Sequence, residues 1–378
     1  MEDINKFRKK LRRQSRIKSL LVLLLIAALA LAAYFAFDYL QKSSSASNGA
    51  DGAAAGFPLS FSGEEIIKLE SAKNFLVVLT DKQLAFYTSK GRREQTRQHG
   101  GDAPMIKANG SYVVLYESRG NALNVYFGAS EQPQFSFETA NQISLCEITP
   151  DGYLAVVTSH EKYESVLTVY RPDGSEAYKW NSAKEQILSL SLSKGGNKVA
   201  MLTLASLDGV IQTNVTDYDL KNNKENFRMS LDGAAGISIT QKAFGGYHIV
   251  CQDRIVSLAP NGDVLYENRF DGMPRFFCNR ESDNTAVILG RGHKSDLLML
   301  YGEKEENIGR YQSEGSILGT TVQESGVVVM YEDKTVILNK RLKEIKNAES
   351  RKEKGVAVCF GNNLYQVSNL GIEKIPIK

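Results

Sequence analysis

Four histidines, His99, His160, His248 and His293, are the side chains in this sequence best suited to proton transfer or metal ligation, and each stands alone. Imidazole does that chemistry with a partner at close spacing, a second ligand or a nucleophile it can activate. None of the four has such a neighbour. His248 lies inside the apolar segment Tyr247-His-Ile-Val-Cys251, where a hydrogen-bonded structural role is expected. The cysteines Cys146, Cys251, Cys278 and Cys359 are separated by 105, 27 and 81 residues, with no C-x-x-C pair. Each sits in an apolar run, so buried free thiols are expected rather than zinc ligands or a redox pair.

Two acidic clusters invite a ligand reading. Asp217-Tyr-Asp219 falls at a strand end, where alternation puts both carboxylates on one face, a geometry open to a hard cation. It lacks a glycine-punctuated loop and further acidic ligands, so a solvated edge is the better reading. Glu303-Lys-Glu-Glu306 sits in a turn between apolar strands, where charge serves solubility; a glycosidase pair would need a defined separation that sequence does not give. Trp180 and the strand-ending tyrosines Tyr87, Tyr126, Tyr170 and Tyr301 could stack on sugar rings, but packing between sheets is expected of them. No G-x-S-x-G elbow, H-E-x-x-H helix or phosphate-binding loop is present. The sequence therefore assigns no catalytic, cofactor-binding or metal-ligating residue, implies no cofactor and argues against an enzyme.

The elements that carry these residues are short strands. Apolar segments of about five residues recur as hairpins: Phe75 to Leu79 with Gln83 to Tyr87, Tyr112 to Tyr116 with Leu123 to Phe127, and Tyr153 to Val157 with Val166 to Tyr170. The series continues with Val199 to Leu202 and Thr213 to Asp219, then Tyr247 to Cys251 and Arg254 to Leu258. Ala286 to Leu289 with Leu297 to Tyr301, and Val327 to Tyr331 with Thr335 to Asn339, complete it. The hairpins begin at 75, 112, 153, 199, 247, 286 and 327, a period near forty residues. A further strand precedes several hairpins (Ile187 to Leu192, Gly236 to Thr240, Arg275 to Cys278), and a more polar strand follows through turns such as Asp173-Gly174 and Asn261-Gly262.

Four short strands per period of about forty predict an all-β propeller. Eight blades are expected over 57–378. The last would use Val356 to Phe360, Leu364 to Val367 and Ile372 to Ile377, with Phe57 to Ser62 from the N-terminal side as its fourth strand, so that no sheet edge stays open. Val356 to Val367 also reads as the middle hairpin of a blade without its first strand, which leaves seven as the alternative.

Ahead of the blades, Leu20 to Phe37 is an unbroken apolar run of eighteen residues, at the length needed to span a bilayer. Lys6, Arg8, Lys9, Lys10, Arg12, Arg13, Arg16 and Lys18 precede it, against Glu2 and Asp3, which predicts a cytoplasmic N-terminus. Ala28-Leu29-Ala30 and Ala30-Leu31-Ala32 resemble cleavage sites, but the run continues through Tyr34, Phe35 and Phe37, beyond a signal-peptide core, so a retained anchor is favoured. The expected organisation is a basic tail over 1–19, a transmembrane helix over 20–40 in the lipid bilayer, a Ser/Ala/Gly linker over 41–56 and an extracellular propeller over 57–378. The linker has nothing apolar enough to offset its own ordering, and as a flexible coil it spans on the order of 20–25 Å. Eight of the 46 Lys and Arg and two of the 43 Asp and Glu precede Leu20, so the remainder carries a net charge of about minus three. The basic pI belongs to the tail and does not support nucleic-acid binding.

The repeated apolar strand, Asp/Asn-Gly turn and aromatic-ended strand, as in Pro172-Asp-Gly-Ser-Glu-Ala-Tyr-Lys-Trp180, resembles the degenerate repeat of quinoprotein-type (PQQ-like) propellers. The layout of basic tail, single span, linker and blades is similar to a family of membrane-anchored propeller proteins of Gram-positive bacteria. That resemblance implies a cell-envelope location and no particular activity. Quinone enzymes of this fold carry a tryptophan docking pattern in blade after blade, whereas Trp180 is the single tryptophan here, so a bound quinone is not expected. The expectation is a non-catalytic propeller binding envelope proteins or cell-wall polymer. The alternative is an extracellular enzyme, a glycan hydrolase or lyase or a quinone-linked oxidoreductase, whose mark would be converging carboxylates in the hub.

Overall fold

The computed structural model describes residues 56–207, 209–278, 283–290, 295–302 and 308–377. The predicted tail, span and nearly all of the linker lie outside the described residues. Among the described residues no helix is long and apolar enough to cross a membrane.

Eight antiparallel sheets follow one another along the chain. Blade 1 is β1 (Ile66–Ala72), β2 (Phe75–Thr80), β3 (Gln83–Tyr87) and β4 (Arg93–Gln98); blade 2 is β5 (Pro104–Asn109), β6 (Tyr112–Glu117), β7 (Ala122–Phe127) and β8 (Phe135–Glu138). Blade 3 is β9 (Ile143–Ile148), β10 (Leu154–Thr158), β11 (Ser165–Tyr170) and β12 (Glu176–Ser182); blade 4 is β13 (Glu185–Leu192), β14 (Lys198–Leu207), β15 (Val210–Asp219) and β16 (Lys224–Leu231). Blade 5 is β17 (Gly236–Gln241), β18 (Tyr247–Cys251), β19 (Arg254–Leu258) and β20 (Val264–Arg269); blade 6 is β21 (Pro274–Cys278), β22 (Thr285–Gly290), β23 (Asp296–Tyr301) and β24 (Gly309–Gln312). Blade 7 is β25 (Gly319–Gln323), β26 (Gly326–Met330), β27 (Lys334–Asn339) and β28 (Glu344–Glu349), and blade 8 has β29 (Ala357–Phe360), β30 (Asn363–Ser368) and β31 (Gly371–Pro376).

The order of polarity within a blade explains the sequence pattern. Second and third strands are buried on both faces, as in β18 and β19, so they read as continuous apolar runs instead of alternating. Fourth strands such as β28, Glu-Ile-Lys-Asn-Ala-Glu, have an exposed side and carry the charge. Each apolar cluster is shared by two neighbouring blades: 1 with 2, 2 with 3, 3 with 4, 4 with 5, 5 with 6, 6 with 7, 7 with 8, and 8 with 1. A row of sheets would have one interface fewer than blades. Equal numbers mean a closed ring.

The closing contact is the one expected. Leu59 bridges Ile372 of β31, each amide donating to the other's carbonyl at 2.9 Å, which gives blade 8 the start of a fourth strand. Phe57 and Phe61 pack beside it against Tyr365 and Tyr87. Seven blades is thereby set aside. Blade 4 departs from expectation in length: β14 and β15 pair as far as Leu207 and Val210, beyond the predicted Val199 to Leu202 and Thr213 to Asp219. The intervening residues Thr203-Leu-Ala-Ser206 suit a strand, and Gly209 at φ +79° makes the turn.

Gly371 sits at φ +110°, and a Cβ there would lie 2.0 Å from the Leu59 carbonyl oxygen. Gly63, at φ +76°, would meet nothing. Gly371→Ala is therefore expected to lower the thermal midpoint by several degrees, and Gly63→Ala to cost only the backbone penalty of about 1–2 kcal/mol, both measured by circular dichroism melting.

Candidate functional site

The innermost strands of the blades enclose a central channel with a cavity of about 820 Å³. Its wall has two sectors. Blades 1 to 3 contribute Lys68 and Glu70 from β1, Lys107 from β5 and Glu147 from β9. Lys68 Nζ lies 3.0 Å from Glu70 Oε1 and donates to the Ile106 carbonyl at 2.9 Å, and Lys107 Nζ reaches Glu147 Oε2 at 3.1 Å. Blades 4 and 5 contribute hydroxyls, Ser189 and Ser191 from β13 and Ser238 and Thr240 from β17. The Ser189 and Ser191 hydroxyls accept the Ile239 and Gln241 amides at 3.2 and 3.1 Å, stitching the two blades along the channel.

This chemistry is balanced. Two carboxylates do face the channel, but each is neutralised by a lysine, and the Glu70 carboxylate is wholly buried. Two of the four hydroxyls, Ser189 and Ser191, accept backbone amides, and among the described residues no histidine lines the channel. The channel offers paired charges and hydroxyls to a polar occupant and presents no aligned nucleophile.

The residues singled out in the sequence are dispersed. His99 Nε2 lies 2.9 Å from the Thr80 carbonyl oxygen, and His160 Nδ1 accepts the Lys162 amide at 3.0 Å. His248 is fully buried between blades 5 and 6, its Nδ1 2.8 Å from Thr285 Oγ1 and its Nε2 3.0 Å from the Gly302 carbonyl and from Tyr266 Oη. Burial, reinforced by the nearby Lys242 charge, holds its pKa down at about 3. His293 and Glu303 to Glu306 lie outside the described residues. Among the described residues, no group of three or more His, Cys, Asp or Glu is placed to hold a metal.

The solvated-edge reading of Asp217 is corrected. Its carboxylate is buried, accepting Asn226 Nδ2 at 2.6 Å and the Tyr247 hydroxyl, because β15 is covered by β16 and by blade 5. Asp219 instead caps the next turn, accepting the Asn222 amide and side chain, and those bonds hold its carboxyl below the ordinary range. Tyr87, Tyr126 and Tyr301 are buried and Tyr170 half-buried in clusters between blades, and Trp180 packs in the cluster between blades 3 and 4, so none offers a free stacking face. The four cysteines are free, three of them buried. Burial pushes the Cys251 thiol up to about 12 and raises Cys146 as well.

Sequence reasoning missed the channel ion pairs and two further polar joints. Glu185 takes Asn214, Thr203 and Arg228, and Asp296 takes Arg275, the Ile317 amide and, through its own amide, Ser313. The signal for the channel was charge on first strands, where Lys68, Glu70 and Lys107 interrupt otherwise apolar positions.

Residues 60–231 match the model described as a family of unknown function (DUF5711). No curated protein matches the chain. Among solved structures, BamB from Moraxella catarrhalis is similar at 13% identity over 82% of this chain and 92% of that one, with a TM-score of 0.53. Kluyveromyces lactis Hsv2 is similar at 12% identity over 76% and 99%, with a TM-score of 0.54. The β-propeller domain of Myceliophteria thermophila Cps50 (Swd1) follows at 8% over 73% and 94%, with a TM-score of 0.52. At these identities the likeness is one of fold, a β-propeller.

Two outcomes test the site's electrostatics. Glu70→Ala, which removes the buried partner of a Lys68 that is itself 32% exposed, is expected to cost about 1–2 kcal/mol, and Glu147→Ala, in a half-exposed pair, under about 1 kcal/mol, by urea denaturation. The folded pKa of His248 lies below its ordinary 6.5, so the folded state binds fewer protons and is favoured above that pH. As pH falls from about 6 to about 4, wild-type stability should drop relative to His248→Gln by up to about 1.4 kcal/mol per unit. Parallel slopes for the two proteins would contradict the buried neutral imidazole.

Proposed function

We propose that this protein is a single-pass membrane protein with a cytoplasmic N-terminus, whose propeller is held outside the bilayer and binds envelope proteins or wall polymer through its loop faces, without catalysis. The observation that carries the reading is where the reactive groups went. The buried His248 imidazole and the Asp217–Tyr247 pair are engaged in joints between blades, three of the four thiols are buried, and the channel carboxylates are paired with lysines. The turns cover two broad faces of the ring. Both faces expose large apolar side chains of the kind that anchor partners, Phe244 (75% exposed) on one and Leu370 (66%) on the other. The membrane placement rests on Leu20 to Phe37 and the eight cations before it.

Topology is tested with single cysteines in the full chain. Ser45→Cys should label with a membrane-impermeant maleimide in intact cells, and Ser15→Cys only after permeabilisation; the reverse pattern would overturn the orientation. Binding is tested by photo-crosslinking residues placed at Phe244 and Leu370 in cells. Discrete adducts absent from a tail, span and linker control are expected, and none at either position would count against a binding role.

A further inference from the structure

The domain has a basic rim at one place, and it is the place where the chain joins it. Gly56, the first described residue, lies against Gly91 in the turn between β3 and β4 of blade 1. Blade 8 adjoins there: Lys374 Nζ donates to the Ser89 carbonyl at 2.8 Å and lies over the Phe57 ring, 5.8 Å from its centre. Blade 7 comes next, with Lys346 Nζ on the Pro376 carbonyl at 2.6 Å. Three consecutive blades thus present one continuous edge around the junction.

Cations crowd that edge. The turn between β27 and β28 is Lys340-Arg-Leu-Lys343, with Lys346 just beyond it, and the turn of blade 1 supplies Lys90, Arg92 and Arg93. Lys374 and Lys346 bond to carbonyl oxygens, which leave their charge uncancelled. Interspersed carboxylates are Glu94, which Arg92 takes, and Glu344. Ile345, 54% exposed, sits among the lysines. On the opposite face of the same blades Lys354 pairs with Glu65 and Lys334 with Glu314, and Lys82 and Lys352, which bond to carbonyl oxygens, stand beside Asp81 and Glu353 in the chain. An acidic domain overall has therefore put local positive charge beside its tether.

We infer that this rim lies on the anionic headgroups of the bilayer that holds the apolar run, so that the propeller rests on its blade 7–8–1 edge instead of swinging freely. The inference rests on the membrane-anchored reading above. Three things select the lipid surface over other anionic partners. On the anchored reading only sixteen residues separate the span from the propeller, which places the junction on the membrane side of the domain. Lysine and arginine beside an exposed aliphatic side chain is the composition suited to the headgroup boundary. And, on the anchored reading, a bilayer surface lies at the tether's other end.

The test uses the full chain in lipid nanodiscs of phosphatidylcholine alone or mixed with phosphatidylglycerol, with lysine labelling by an amine reagent read by mass spectrometry. Lys90, Lys340 and Lys343 should label at least about threefold less in the anionic discs, with the difference lost at high salt. Lys162 and Lys184, on turns of the opposite face, should be unchanged. The variant Lys340→Glu/Arg341→Glu/Lys343→Glu should abolish the protection of Lys90 while keeping the wild-type melting temperature; retained protection would overturn the inference. So would equal labelling in both lipids with the chain firmly incorporated, and this outcome leaves the anchored reading intact. A chain that washes off the discs in high salt would instead refute the anchor itself. If soluble polyglycerol phosphate protects the rim in neutral discs as fully as anionic lipid does, a wall polymer and not the bilayer is the occupant.

Discussion

A sheet whose middle strands are apolar on both faces cannot stand in water alone, and that constraint organises this molecule. Strands such as β2, Phe-Leu-Val-Val-Leu-Thr, and β26, Gly-Val-Val-Val-Met, bury nearly every side chain. At roughly 1.5–3 kcal/mol for each large aliphatic group covered, no blade can leave a flank bare. Each flank is covered by the next blade, and the last is covered by the first only because Leu59 and Ile372 exchange amide bonds across the seam. The ring satisfies all sixteen flanks through eight shared interfaces.

The same constraint decides where polar side chains can work. A polar group caught between flanks must find partners there, and it does: His248 of blade 5 with Thr285 and Gly302 of blade 6, and Asp217 of blade 4 with Tyr247 of blade 5. These bonds pin neighbouring blades to one another in register. They also hold the His248 imidazole and the Asp217 carboxylate in bonds inside the fold.

How much of this was legible follows from the range of each signal. The blades were readable because their strands, turns and period are local: Asp173-Gly174 and Asn261-Gly262 turn the chain, with Gly262 at φ +91° and no room for a Cβ beside Phe227 of the next blade. Even the seam was readable, since the last unit lacked one strand and the residues before β1 could supply it. The channel was not. Lys68 and Glu70 look in sequence like the outer face of a solvated strand, and only closure of the ring turns that face inward. Asp217 was misread for the same reason, its cover coming from Tyr247 in another blade. The basic rim is assembled from turns far apart in the chain, and the acidic balance of the whole domain hides it.

The buried thiols have a consequence for how the domain meets oxidants. Cys146 and Cys251 are held protonated by dry surroundings, and a protonated thiol is a poor partner in disulfide exchange. No cross-link contributes to the closed ring, and oxidants have little purchase on these two sulfurs. Those two positions are thereby insulated from the redox poise of the surroundings, and the half-buried Cys278 is the thiol that an oxidant would meet first.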